Sequence, residues 1–209
     1  MRIAVVYESM YGNTHAIADH VAAGFGEPFE VVVSSVDGAQ DAIAHAGLVI
    51  VGGPTHAHSL TSTNSREAAI KAADEDDDLT LDEHAEDGGL RDWLAGLPDG
   101  HHRLAAAFGT RLDAAPILTG RASKGIAKRL RHHGFNVIAA PESFLVDKEN
   151  HLLAGEAARA QALGEHCRFG SSLPRDLSEF AIILTGKHWR SQFEFWAHAR
   201  LAREAGRPE

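Results

Sequence analysis

The sequence predicts an α/β fold, a doubly wound sheet of five strands with helices between them. Three observations carry this. Short apolar runs such as Ile3-Ala4-Val5-Val6 and Leu48-Val49-Ile50-Val51 read as strands buried on both faces. Segments of helical spacing separate them, the first marked by Ile17, Val21 and Phe25. Polar, glycine-bearing loops leave the first, third and fourth runs, at the strand ends where open α/β sheets bind ligands.

Taken in order, the pattern predicts a strand over 3–7, a helix over 14–25, a strand over 29–34 and a short helix over 40–46. A strand over 48–51 ends in "GGPTHAHSL", and helices follow over 65–73 and 90–97. The fourth strand is 104–108, and a basic helix over 123–133 leads to the fifth strand, 136–146. Pro141 cannot donate to a ladder, so that strand should split there. A helix over 154–169 closes the set.

A 209-residue chain with 44% hydrophobic content can bury one good core with an appendage. The N-terminal apolar stretch is too short for a secretory signal, and no run reaches the roughly 18 apolar residues that span a bilayer. With Cys167 as the one cysteine, an internal disulfide and a Cys-x-x-Cys redox pair are excluded. The expectation is a cytoplasmic protein with neither nucleic acid nor membrane as partner. The net charge of −9 is concentrated in 74–87, which holds acids and no Lys or Arg. Such a block predicts a solvated, mobile loop clear of any cofactor, with a docking patch for a basic redox partner as the alternative. His101-His102 and His132-His133 lack metal-ligand spacing on one helical face, so no metal site is expected.

The loops 8–14, 52–61 and 109–115 carry the chemistry. Ser9 and Thr14 offer hydroxyls, Gly12 lets the backbone turn closely, and the helix after Asn13 presents free N–H groups at its positive end. Together they make a phosphate cradle without a lysine. No Gly-Lys-Ser/Thr follows, which disfavours a triphosphatase P-loop, and no Gly-x-Gly-x-x-Gly, which disfavours a dinucleotide fold. The third strand ends in Gly52-Gly53 where a receiver domain needs an aspartate, and the first loop lacks the cysteine of a low-molecular-weight phosphatase.

The stretches "VVYESMYGNTHAIA", "VGGPTHAHSL", "AAAFGTRL" and "PESFLV" resemble the flavodoxins and flavodoxin-fold reductases, over residues 2–169. The resemblance implies the strand order 2-1-3-4-5, a domain over 1–169, and flavin mononucleotide (FMN) as cofactor. It places the phosphate on Ser9, Met10, Tyr11, Gly12, Asn13 and Thr14. Pro54, Thr55, His56 and Ala57 would border the isoalloxazine from the second loop, and Gly109, Thr110 and Arg111 from the third. Electron-carrier flavodoxins stack aromatics on the flavin. Here His56 stands where tryptophan is common, and Leu112-Asp113 brings no tyrosine. His56 and His58 read either as flavin contacts or as surface residues. A guanidinium at Arg111 beside the flavin N1/O2 edge would favour the anionic reduced form, hence two-electron chemistry. The alternative for Arg111 is a solvated loop residue.

The segment 170–209 is a helical extension on this reading, with Trp189, Phe193, Trp196 and Arg200 forming a helical stripe. Such a stripe serves a core or a subunit contact, and a homo-oligomer through this helix is one expectation. Residues 171–209 resemble the start of the carboxymuconolactone decarboxylase (alkylhydroperoxidase-D-like) family, with Glu194 and His198 as its Glu-x-x-x-His pattern. The resemblance covers only part of such a domain and lacks the Cys-x-x-Cys pair of the peroxidase-like members, so no activity carries over and a truncated fusion or a helical appendage is expected. The functional expectation is an FMN-binding redox protein, a two-electron reductase resembling the nicotinamide:quinone reductases, working with a redox partner protein or a small acceptor. A one-electron carrier and a flavodoxin-fold scaffold with weak or no flavin remain the alternatives.

Overall fold

The computed structural model describes residues 1–56 and 58–169; Ala57 and 170–209, including the Trp189–Arg200 stripe and the Glu194/His198 pair, lie outside the described residues. The chain runs β1 (Arg2–Tyr7), α1 (Asn13–Ala23), β2 (Glu30–Ser35), α2 (Ala39–Ile43), β3 (Leu48–His56), β4 (Ser59–Leu60) and α3 (Thr63–Glu75). It continues through α4 (Leu90–Ala95), β5 (Leu104–Leu112), α5 (Pro116–Thr119), α6 (Ala122–His132), β6 (Asn136–Val137), β7 (Glu142–Val146) and α7 (Glu156–Phe169).

The class is the predicted one, and the strand order differs in part. The sheet runs β2-β1-β3-β5-β6, with β7 also on β5 and β4 on β3. The predicted fifth strand is β6 plus β7, both parallel to β5 and parted around Pro141. The unpredicted β4 pairs antiparallel with the end of β3, Thr55 opposite Leu60 and His56 opposite Ser59.

Alternation along the parallel strands sends successive side chains to opposite faces. Ala4, Val6, Val49, Val51, Ala105 and Ala107 pack with Ala39 and Ile43 of α2, Leu90 and Leu94 of α4, and Ile126 and Leu130 of α6. Ile3, Val5, Leu48, Ile50, Ala106 and Phe108 pack on the other face with Ile17 and Val21 of α1 and Leu163 and Cys167 of α7. Each fully buried large side chain contributes about 1.5–3 kcal/mol relative to exposure. Burial pushes the Cys167 thiol up to about 12, so it packs as a small apolar group.

Strands β3 and β5 run on past their predicted ends at Val51 and Phe108, in parallel register as far as Pro54 opposite Thr110. The reason is packing. A Cβ on Gly52 would lie 2.0 Å from Cζ of Phe108, so the glycine makes room for a ring and does not end the strand.

The acidic stretch corrects its prediction of a mobile loop. The Asp82 N–H donates to the Met10 carbonyl at 2.8 Å, and Ala85 is buried with Met10 and Ala69, with Leu81 packed alongside. The charges find partners that the local sequence does not reveal. His15 Nδ1 lies 3.2 Å from Asp82, and His84 Nδ1 lies 3.2 Å from Asp87. The Arg66 guanidinium donates to the carbonyls of Ala85 and Asp87.

Glu8, only 5% exposed at the end of β1, gathers this end of the molecule. Its carboxylate accepts from the Thr61 hydroxyl and, at 2.7 Å, from the Leu90 N–H at the start of α4; Arg66 Nε lies 3.9 Å away. Replacing Glu8 with Ala leaves the Leu90 amide and the Arg66 charge unpaired, and should lower the unfolding free energy by about 3 kcal/mol in urea titrations.

Candidate functional site

A cleft of about 430 Å³ opens beyond the carboxyl ends of β1, β3, β5 and β7. The chain leaving β1 turns sharply at Gly12, whose φ of 84° suits glycine and whose N–H donates to Ser9 Oγ at 3.1 Å. The first backbone bond of α1 runs from the Ala16 N–H to the Gly12 carbonyl at 2.9 Å. The N–H groups of Asn13, Thr14 and His15 therefore precede the helical ladder. Ser9 and Thr14 are buried, and the Thr14 and Thr110 hydroxyls share a hydrogen bond of 2.8 Å that ties the turn to β5. Tyr11 lines the cleft and donates from its hydroxyl to the Ala69 carbonyl of α3 at 2.9 Å.

The structure brings together Ser9, Met10, Tyr11, Asn13, Thr14, Pro54, Thr55, His56, Thr110 and Arg111 on this cleft. Gly12 acts through the turn and is not on the cleft wall. Gly109 packs instead, since a Cβ there would stand 2.8 Å from the Gly53 carbonyl oxygen. Ala57 lies outside the described residues. Of the two readings for His58, the structure favours the surface residue over the flavin contact. His58 is exposed, adopts φ 71°, and bridges its backbone to Gly120, away from the cleft lining.

Five lining residues escaped the sequence reading: Leu79, Val146, Asp147, Lys148 and Asn150. The Asn13 amide donates to the Asn150 carbonyl at 2.8 Å and to its Oδ1 at 3.1 Å, joining the turn to the segment after β7. The rule that ligands sit beyond the strand carboxyl ends applies equally to the fifth strand and would have found this segment. Leu79 gave no local signal inside an acidic run.

Electrostatics separate the two ends of the cleft. Burial lowers the His56 pKa, opposed in part by the Glu8 charge, so His56 is neutral near neutral pH. Arg111 Nη1 donates to the carbonyls of Ala114 at 2.6 Å and Leu112 at 3.0 Å, and its Nε is buried with no partner among the described residues. Burial, and next the Arg121 charge, hold the Arg111 pKa below the usual arginine value. Arg111 remains a cation at neutral pH. The alternative of a solvated loop residue for Arg111 gives way to a half-buried strand residue with a fixed head. Among the described residues no three His, Cys, Asp or Glu side chains meet to hold a metal ion, and no helix is long and apolar enough to cross a membrane.

An open, doubly wound parallel sheet with a hydroxyl-and-amide turn at the mouth of its first helix defines the flavodoxin-like class. Residues 5–168 match the family model for flavodoxin, and the chain belongs to that family. The match supports a flavin-binding redox protein. Among solved structures it is similar to a flavodoxin from the domain Archaea, at 23% identity, covering 80% of this chain and 96% of that one, with TM-score 0.55. Oxidised Flavodoxin 1 from Bacillus cereus matches at 19% identity, 79% and 96% coverage and TM-score 0.54. The Flv1 flavodiiron core from Synechocystis sp. PCC6803 matches at 19% identity, 80% and 35% coverage and TM-score 0.53. These likenesses concern the fold. None of the curated proteins matches the sequence. The family match ends at residue 168 and lends no support to the decarboxylase resemblance of 171–209.

A lowered histidine pKa means that the unfolded chain takes up a proton the folded chain refuses. The contribution of His56 to stability is therefore complete above the ordinary value of 6.5 and falls as pH drops below it. Between about pH 7.5 and about pH 5.5, His56→Asn should lose less stability than the unmodified protein in parallel denaturant titrations.

Proposed function

We propose that the cleft binds FMN and that the protein is a reductase working in two-electron steps, passing electrons from a nicotinamide donor to a quinone-like or other small acceptor. The observation that carries the binding part is the turn from Ser9 to Thr14. Buried hydroxyls and amides that precede the helical ladder converge there at the positive end of an eleven-residue helix, with no Lys or Arg in the turn. The turn fits a phosphate dianion. Pro54, Leu79, Leu112 and Val146 give the cleft an apolar portion suited to a flat heteroaromatic ring, beside the polar Thr55, His56, Asp147 and Lys148. Bound flavin would supply the capacity to accept electrons singly or as a pair.

What the chain adds is charge. Arg111 is a cation clamped on the cleft by two carbonyls, and His56 is neutral. A fixed positive charge lowers the free energy of a bound anion, so it supports paired over single electron uptake. The carrier reading keeps one observation in its favour. Leu112 on the cleft and Ile117 and Leu118 on α5 are exposed large apolar residues that a partner protein could cover.

Thr14→Val and Ser9→Ala should each weaken FMN binding by about 1–3 kcal/mol in fluorescence-quenching titrations, the scale of a lost hydrogen bond to a charged group. Unchanged affinity in both variants would put the phosphate elsewhere. Stepwise photoreduction of the FMN complex should give visible spectra that fit two species only. In Arg111→Glu a third spectrum should rise and fall. A third spectrum prominent in the unmodified protein would return it to the one-electron carriers.

A further inference from the structure

A second cleft, of about 610 Å³, adjoins the first where the end of β5, the start of α6 and β7 come together. Three arginines line it, Arg111, Arg121 and Arg159, and their charges are not balanced alike. Arg159 is neutralised twice, by Glu156 at 2.7 Å and Glu142 at 3.0 Å. Arg111 meets neutral groups only: carbonyl oxygens and, at 3.5 Å, the Thr119 hydroxyl. Arg121, half-buried at the N-cap of α6, makes no hydrogen bond or ion pair among the described residues. Two like charges are thus held within electrostatic reach of each other with no carboxylate among the described residues at ion-pair distance from either, and Asp113 and Glu156 each act on Arg111 more weakly than Arg121 does. Such a placement is unfavourable unless an anion shares both charges.

We propose that this cleft is an anion site that holds the phosphoryl group of a phosphorylated small molecule between Arg111 and Arg121. Guanidinium forks match phosphate oxygens two at a time, which suits this site better than a point charge would. The Ser143 hydroxyl, 3.2 Å from that of Ser123, adds a neutral donor on the same wall. Arg111 and Arg121 are half-buried and the surface is concave, which fits a small molecule better than the face of a protein. Because Arg111 borders both clefts, a ligand held here lies beside the candidate cofactor site. That it is the electron donor's phosphate rests on the flavin reading above; the anion site itself does not.

The test is calorimetric titration of the full chain, without FMN, using inorganic pyrophosphate and adenosine 5′-diphosphate as probes. Arg121→Gln should bind pyrophosphate about tenfold or more weakly, the scale of a lost charge-assisted contact, with Arg121→Lys in between. Arg121 has no partner to lose among the described residues and repels Arg111, so Arg121→Gln should melt at or slightly above the unmodified protein's temperature and Arg121→Lys at about the same temperature. On the flavin reading the Ser9–Thr14 turn also takes a phosphoryl group when FMN is absent, so the comparison is repeated in a Thr14→Val background, where Arg121→Gln should cost pyrophosphate affinity by the same factor. Tighter binding of adenosine 5′-diphosphate than of pyrophosphate marks a nucleotide as the ligand, and equal binding marks the phosphoryl group alone; either supports the proposal. It is overturned if neither probe binds, or if Arg121→Gln binds pyrophosphate as well as its parent in both the unmodified and the Thr14→Val backgrounds. Failure of the unmodified protein to bind FMN would sink the flavin reading and leave this site standing.

Discussion

The perimeter of the cleft hangs on one buried carboxylate. Glu8 is the residue after β1, the last before the turn that begins at Ser9, and it takes hydrogen bonds from Thr61 after β4 and from the first amide of α4. Arg66 of α3 stands within ion-pair distance and itself donates to the carbonyls of Ala85 and Asp87, while Arg91 of α4 donates to those of Leu60 and Thr61. Four segments far apart in sequence thus share one small network. An ionised carboxylate out of water is costly unless its oxygens are satisfied, and here both are. The same requirement gives specificity. Only an arrangement that brings Thr61, Leu90 and Arg66 together satisfies Glu8, so the loops around the cleft are set by the carboxylate as much as by their own turn chemistry.

Positions on the cleft gain a second kind of definition from the strands. Pro54, Thr55 and His56 belong to β3, and Thr110 and Arg111 to β5, in ladders that continue beyond the point where their apolar character fades. Side chains anchored on strands hold their geometry better than side chains on loops. Thr55 Oγ1 accepts from the Ala122 N–H of α6 at 3.1 Å, so even the start of that helix is referred to β3. The turn at Gly12 is in turn fastened to β5 through Thr14 and Thr110, and to the segment after β7 through Asn13 and Asn150.

These particulars explain what was legible in the sequence. The parallel sheet was, because burial on both faces forces continuous apolar runs, and those runs need no partner to be recognised. The Ser9–Thr14 turn was, because hydroxyl, glycine and helix start are local to it. The ends of β3 and β5 were not. Gly52, Gly53 and Pro54 have the composition of a loop, yet Gly52 is glycine because the Phe108 ring occupies the place of its Cβ, a contact 56 residues away in the chain. The acidic run misled for the same reason. Repulsion within 74–87 is visible in the sequence, and the contacts that hold the run, with the remote His15, Arg66 and the Met10 carbonyl, are not.

Those contacts also bear on how an anion could be tolerated here at all. Met10, in the middle of the candidate phosphate turn, is bonded directly to an acid-rich segment, and uncompensated carboxylates at that distance would oppose a phosphate. Asp82 is turned toward His15, whose ring stacks on Tyr7 at 4.3 Å, and Asp87 is turned toward His84. Burial, and next the Asp82 charge, push the Tyr7 phenol above its usual range, so Tyr7 adds no further anion. Asp82 and Asp87 thus point toward imidazoles, while the turn presents amides and hydroxyls. Arg111 on β5 and Arg121 at the start of α6 stand apart from this arrangement, with no carboxylate among the described residues at ion-pair distance and only the more distant charges of Asp113 and Glu156 acting on Arg111. Segregating the charges in this way lets backbone dipoles bind the phosphate and leaves the arginines available for whatever negative charge the reaction or a second ligand brings.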